Sequence, residues 1–257
     1  FVKLDISGKA QVDEAFKTIK PDVVVHAATL TDVDKCELNK ALAWKVNVEG
    51  TKNIVAAAKT TGSFLIYIST DYVFGGETGR YKETDAPNPI NYYGVTKLKA
   101  EEIVKTQKEY FIARPSVMYG STPAAGKVNF ALWIIENLRK GEHVKIVTDQ
   151  WNTPTLNTNL AEMTLEVIER KLTGIYHLCG ATRVSRLKFA EQIADVFSLD
   201  KGLIDKVLSS QLTLPAKRPM DSSLDTSKAK QTMQHKPLEM DMALKQLKFE
   251  FSQKDNK

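Results

Sequence analysis

Two rhythms of apolar and polar residues alternate along this chain. Short, nearly unbroken apolar runs read as strands covered on both faces: Asp22-Val-Val-Val-His26 directly after Pro21, and Phe64-Leu-Ile-Tyr-Ile-Ser69. Tyr110-Phe-Ile-Ala-Arg114 reads the same way and stops at Pro115, and residues 144–148 and 175–179 make further strands. Between them lie stretches with apolar residues at helical spacing. One helix is predicted over 37–60, on Leu38, Ala41, Leu42, Val46, Ile54, Val55 and Ala58, and others over 92–107, 128–140 and 158–170. This rhythm predicts an α/β fold, a doubly wound, Rossmann-like parallel sheet. Phe1-Val-Lys-Leu-Asp5 reads as a strand in progress, and the chain opens without a methionine, so a preceding N-terminal segment is expected.

After Gly180 the pattern changes. A helix over 185–197 gives way to a polar, strand-poor stretch with Pro215, Pro219 and Pro237, then helical segments near 226–233 and 239–247. That predicts a smaller C-terminal lobe. The expected division is a sheet domain over 1–121, rejoined by 157–180, with 122–156 and 181–257 forming the lobe. Gln253–Lys257 reads as a frayed tail.

Composition narrows the classes. The 257 residues are 42% hydrophobic and 26% charged, an ordinary globular balance. No apolar run approaches the ~20 residues a membrane-spanning helix needs, so no membrane partner is expected. Cys36 and Cys179 lack C-x-x-C spacing, and His26, His143, His177 and His235 lack ligand spacing. No metal is expected, and a reducing cytoplasm is the default compartment. The net charge of +5 comes from Lys and Arg scattered among acids, which reads as a solvated surface rather than a nucleic-acid site.

Candidate chemistry centres on Tyr93-Gly-Val-Thr-Lys97 at a helix start. Residues four apart share a helical face. A phenol with pKa ~10 is a poor acid/base at neutral pH, and a neighbouring ammonium favours its phenolate and lowers that value. Strand 64–69 runs into Ser69-Thr70-Asp71-Tyr72-Val73-Phe74-Gly75 at the carboxyl edge, where ligands bind in open α/β sheets. A hydroxyl there can hydrogen-bond a reacting oxygen beside the tyrosine.

Five ordered segments carry a family resemblance: His26–Glu37, Ser69–Gly75, Glu83–Lys97, Asp149-Gln-Trp-Asn-Thr-Pro-Thr155 and Lys217–Lys228. Together they resemble the dTDP-4-dehydrorhamnose reductase family of extended short-chain dehydrogenase/reductases. The resemblance implies a nicotinamide-binding domain for NADP or NAD, a substrate lobe, and reduction of a 4-keto nucleotide deoxysugar. It implies Thr70 as the catalytic hydroxyl, Tyr93 as proton donor and Lys97 beneath it, reaching the nicotinamide ribose. Along the cofactor it places Asp5, Ile6, Ala27, Ala28, Thr29, Asn47, Ser69, Pro115 and Ser116. Along the substrate it places Thr31, Asp71, Tyr72, Val117, Gln150, Thr155 and Arg218.

Two departures qualify the match. No G-x-x-G-x-x-G phosphate loop stands in the 257 residues, and Val117 occupies the place where these reductases commonly carry a tryptophan. A regulatory subunit of methionine adenosyltransferase resembles the same family and lacks that tryptophan, which makes a non-catalytic, NADP-binding subunit the alternative. Dehydratases on this scaffold put a glutamate where Tyr72 stands. The exact sugar, the choice between NAD and NADP, and whether the chain forms a homodimer stay open.

Overall fold

The computed structural model describes residues 2–123 and 128–255. The first half runs α1 (Lys9–Ile19), β1 (Val23–His26), α2 (Val33–Leu38), α3 (Lys40–Trp44), α4 (Gly50–Thr61), β2 (Phe64–Ile68), α5 (Tyr92–Val104) and β3 (Tyr110–Ala113). Then come β4 (Met118–Tyr119), α6 (Phe130–Arg139), β5 (Val144–Val147), β6 (Trp151–Asn152), β7 (Thr155–Leu156), α7 (Asn157–Arg170) and β8 (Gly174–Tyr176). The chain finishes with β9 (Val184–Ser185), α8 (Arg186–Phe197), β10 (Ile204–Val207), α9 (Ser227–Thr232) and α10 (Met240–Asp255).

The central sheet has the order β1-β2-β3-β8 with every pairing parallel, so the apolar runs are neighbouring strands. Side chains alternate across a strand, which explains why β2 is apolar throughout. Leu65 and Tyr67 pack under α1, α4 and α5 with Val12, Phe16, Ala58 and Val104. Phe64 and Ile66 face the other way, against Leu160, Met163 and Val167 of α7. Each fully buried aliphatic side chain here stabilises by ~1.5–3 kcal/mol relative to exposure. A third core lies among α6, α8, α10 and β5, around Ile134, Phe189, Ile193 and Leu244. Ala229 and Met233, within the expected C-terminal lobe, pack instead on the α7 face of the sheet.

Several elements differ from their sequence expectation. Residues 2–5 form no strand, having no ladder partner among the described residues, and Phe1 lies outside them. The helix expected over 37–60 is broken. The Asn39 side chain accepts from Leu42 N at 3.0 Å and starts α3 afresh, and Lys45–Glu49 then winds as a π-helical turn before α4. Strand 144–148 lies outside the central sheet. It pairs in parallel with β10, a strand hidden in the polar stretch because only Ile204 of its four residues is fully buried. α10 continues to Asp255, past the expected start of fraying, while 256 and 257 lie outside the described residues, as do 124–127 of the lobe.

Candidate active site

Asn91 starts α5 by accepting from Gly94 N at 2.9 Å, satisfying one of the N–H groups a helix start leaves open. Gly94 lets this turn lie directly on the segment after β2, since a β-carbon at Gly94 would stand 2.2 Å from Tyr72 O. The close approach brings Tyr93 beside Thr70, near enough for the Thr70 side chain to act on the phenol. Gly94→Ala is expected to destabilise the fold by ~1–3 kcal/mol, because backbone faces the new methyl and cannot yield. The ~1 kcal/mol by which Ala favours a helix interior is too small to compensate. The urea-unfolding midpoint measures this, and an unchanged midpoint would contradict the close contact.

One turn further on, Lys97 is only 1% exposed. Its Nζ donates to Ile68 O at 2.7 Å and lies 4.1 Å from the centre of the Tyr67 ring. Burial pushes this ammonium down to about 7, with the Glu101 charge pulling upward. Tyr93 departs from the simple expectation of a lowered phenol. Burial pushes it above its ordinary value, and the Thr70 side chain only partly opposes this. The reason is geometric, since Lys97 is turned to Ile68 O and the Tyr67 ring. Tyr93 therefore stays protonated at neutral pH, the form a proton donor requires.

Thr70 sits directly after β2, with Ser69 N donating to Ala113 O at 2.7 Å and Asp71 N to Pro115 O at 3.0 Å. Its hydroxyl donates to Asp71 Oδ1 at 3.1 Å and accepts from Tyr72 N at 3.2 Å, which leaves one lone pair for the Tyr93 hydroxyl. Asp71 Oδ2 accepts from Ser116 Oγ at 2.8 Å and Ser222 Oγ at 2.6 Å. With both oxygens engaged and 3% exposure, Asp71 aligns Thr70 rather than presenting a free carboxylate to the cleft.

The remaining expected site residues fall into three groups. Ala27 and Ala28 are exposed at the end of β1, on the same carboxyl edge as Ser69, Thr70, Pro115 and Ser116. Asp5 is also exposed and accepts from Ser7 N at 2.9 Å, while Ile6 is buried beneath Gly50. Asn47 is fully engaged: Oδ1 accepts from Thr29 Oγ1 and Leu30 N, and Nδ2 donates to Leu30 O and Thr96 Oγ1. It ties the β1 end to α5 and has no donor or acceptor left for a ligand. Ser69 Oγ is directed to Glu101.

On the lobe side, Tyr72 packs edge-on to Tyr93 with ring centres 6.1 Å apart. Thr155 is buried, exchanging hydrogen bonds with Ser116 N and O. Arg218 forms a two-pronged ion pair with Asp34 at 2.8–3.0 Å, and Thr31 is exposed. The Gln150 carbonyl accepts from Arg186 N. Val117 adopts φ of 41°, a left-handed conformation that costs a β-branched residue ~1–2 kcal/mol, and its side chain packs towards the third core.

Sequence reasoning missed Arg186. It opens α8, and its charge acts on both Tyr72 and Asp71. A cation at a helix N-terminus opposes the helix dipole, so this position was itself a signal. Beside the Thr70–Phe74 turn lies a cavity of about 600 Å³, lined by Gly75, Gly76, Glu77, Ile90, Lys217, Arg218 and Met220.

A family model described as RmlD substrate binding domain matches residues 2–252. The chain belongs to the dTDP-4-dehydrorhamnose reductase family. It is 31% identical over 261 residues to the dTDP-4-dehydrorhamnose reductase of Aggregatibacter actinomycetemcomitans, covering 96% of this chain and 87% of that protein. It is similar to the solved dTDP-4-dehydrorhamnose reductase of Bacillus anthracis in complex with NADP, with TM-score 0.91 and 30% identity over 96% of this chain and 87% of that one. It is also 30% identical over 234 residues to methionine adenosyltransferase 2 subunit beta of Xenopus laevis, covering 89% of this chain and 70% of that protein.

Membership in this reductase family implies a nicotinamide nucleotide, and the carboxyl edge fits its nicotinamide half. An ammonium has three donors, and Ile68 O takes one from Lys97, leaving capacity for ribose hydroxyls. The methyl side chains of Ala27 and Ala28 leave room for a flat group beside it. No helix among the described residues is long and apolar enough to cross a membrane.

Proposed function

We propose that this chain catalyses the NADPH-dependent reduction of the 4-keto group of a nucleotide-linked deoxysugar. One observation carries the reading: the Thr70 and Tyr93 side chains come together at the carboxyl edge of the sheet, one helical turn from a buried Lys97. A bound nicotinamide supplies the hydride. Tyr93 protonates the carbonyl oxygen as its charge develops, and Thr70 orients that oxygen. Lys97 holds the ribose and supports the phenolate left on Tyr93. Ala27, Ala28, Pro115 and Ser116 flank the nicotinamide, with Asp5 and Ile6 towards the adenine. Arg186 and the cavity beside Lys217 and Arg218 accept the anionic nucleotide end of the substrate.

Residues 122–156 and most of 181–250 then serve as the substrate lobe over the cleft. The support is that Asn91 Nδ2 donates to Lys217 O and Ser222 reaches Asp71, so loop 216–223 meets the catalytic turn.

A second reading, a non-catalytic subunit of the methionine adenosyltransferase type, draws on the Xenopus relative and on Val117 at the tryptophan's place. Absorbance separates the two. The chain with NADPH and a dTDP-4-keto-6-deoxysugar is expected to lose nicotinamide absorbance only when sugar is present. No oxidation with any such sugar, together with tight binding to a methionine adenosyltransferase, would transfer the case to the second reading.

A further inference from the structure

Glu101 takes no part in the chemistry above, yet it carries an acidic side chain with no solvent exposure. It lies four residues beyond Lys97 on α5, the neighbouring position on the same helical face. Its Oε1 accepts from Ser69 Oγ at 2.6 Å and Arg114 Nε at 2.9 Å, and its Oε2 from Arg114 Nη2 at 2.7 Å. Ser69 immediately precedes Thr70, and Arg114 immediately precedes Pro115 and Ser116. One carboxylate thus links the helix bearing Tyr93 and Lys97 to both strand ends that face them.

Packing alone gives no reason for two ions here. A buried ion pair is often matched or bettered in stability by apolar residues of similar volume. Arg114 is 1% exposed, and its Nη1 has no hydrogen-bond partner, an additional burden on the fold. The surroundings of Lys97 point to a different purpose. His26 on β1 is kept neutral by burial, down to about 3, with the Lys97 charge adding to the effect. Burial also pushes the phenols of Tyr67 on β2 and Tyr93 on α5 upward, so both are uncharged at neutral pH. Arg114, directly after β3, contributes a guanidinium. Glu101 is the anion acting on Lys97, and it sits between Lys97 and neutral or positive neighbours.

We propose that Glu101 is a positioning residue of this active site: clamped by Arg114 and Ser69, its fixed negative charge keeps the buried Lys97 an ammonium. The catalytic consequence rests on the reductase reading, whereas the charge on Lys97 does not. As pH rises, Lys97 loses its proton and reduction slows. Without Glu101, this loss comes at lower pH.

The test titrates Lys97 directly in the intact chain, by NMR of lysines labelled at Cε, with the Lys97 signal assigned by its disappearance in Lys97→Met. In Glu101→Gln the Lys97 midpoint is expected to fall by about one unit or more. Because that variant leaves Arg114 buried and unpaired and can fail to fold, Glu101→Gln/Arg114→Gln is measured beside it. Its midpoint is expected to remain below that of the wild type. A midpoint unmoved in the folded variants would overturn the proposal and leave the pair as scaffolding. In the reductase assay, the high-pH fall of kcat/KM is expected to move down with the NMR midpoint. A chain that shows the NMR shift but no turnover would refute the reductase reading and leave the role of Glu101 standing.

Discussion

Tyr93→Phe is expected to lower kcat about a hundred- to ten-thousand-fold, the range a positioned general acid contributes. In free energy this is ~3–5 kcal/mol of transition-state stabilisation. The phenol is an acidic side-chain group beside Thr70, and burial keeps it protonated at neutral pH. The fold should survive. The ring keeps its contacts with Cys36, Ala43 and Tyr72, and only an oxygen is lost. KM should change little, because the interaction strengthens as charge develops on the substrate oxygen. Steady-state turnover with a melting curve for each protein checks this, and a variant running at more than a tenth of the wild-type rate would remove Tyr93 from the proton-donor role.

Acid should unfold this protein steeply, and two histidines are the reason. Burial pushes His26 down to about 3, with the Lys97 charge adding to it, and burial followed by the Arg114 charge does the same to His177. An unfolded histidine titrates near 6.5. Between about 3 and 6.5 the unfolded state therefore binds more protons than the folded one, so stability rises with pH across that window and is lost as pH falls through it. Each histidine contributes up to ~1.4 kcal/mol per pH unit, and the pair costs ~3 kcal/mol between pH 6.5 and 5. Against a typical total of 5–15 kcal/mol, that is a large share. His26→Gln and His177→Asn remove the proton-binding group while keeping a polar atom for Thr51 Oγ1 and Asp225 O respectively. Each should remove about half of the difference in urea midpoint between pH 6.5 and pH 5. An undiminished slope in both variants would refute the assignment.

Much of the frame was legible in the chain because its signals are local. The apolar runs of β1, β2 and β3 needed no knowledge of their partners, and a Tyr/Lys pair four apart needs only a helix to become one face. What escaped depends on distant parts of the chain. The π turn at Lys45–Glu49 exists where Asn47 bridges Thr29 and Thr96, an arrangement invisible to helical periodicity. β10 finds its partner some sixty residues upstream, at β5, and buries too little to stand out. The family resemblance sets Asp71 along the substrate, and no local signal points to its other partners. Its carboxylate is instead taken by Ser116 and Ser222, the latter 151 residues away. Nothing local to α5 marks Glu101, because its partner Arg114 stands thirteen residues on, just past β3.

That Asp71 carboxylate has a consequence for how new specificities could arise in this lineage. It collects one hydroxyl from the reacting Thr70, one from the β3 edge and one from loop 216–223, which Asn91 also tethers. Any shift of the loop therefore also pulls on the carboxylate that holds the Thr70 hydroxyl. On the proposed function, choice of substrate and alignment for chemistry would then not be separately heritable traits. A grafted loop without a hydroxyl at position 222 would bring its new preference with a slackened Thr70, so recruitment of new sugars has to proceed by changes that spare this one knot.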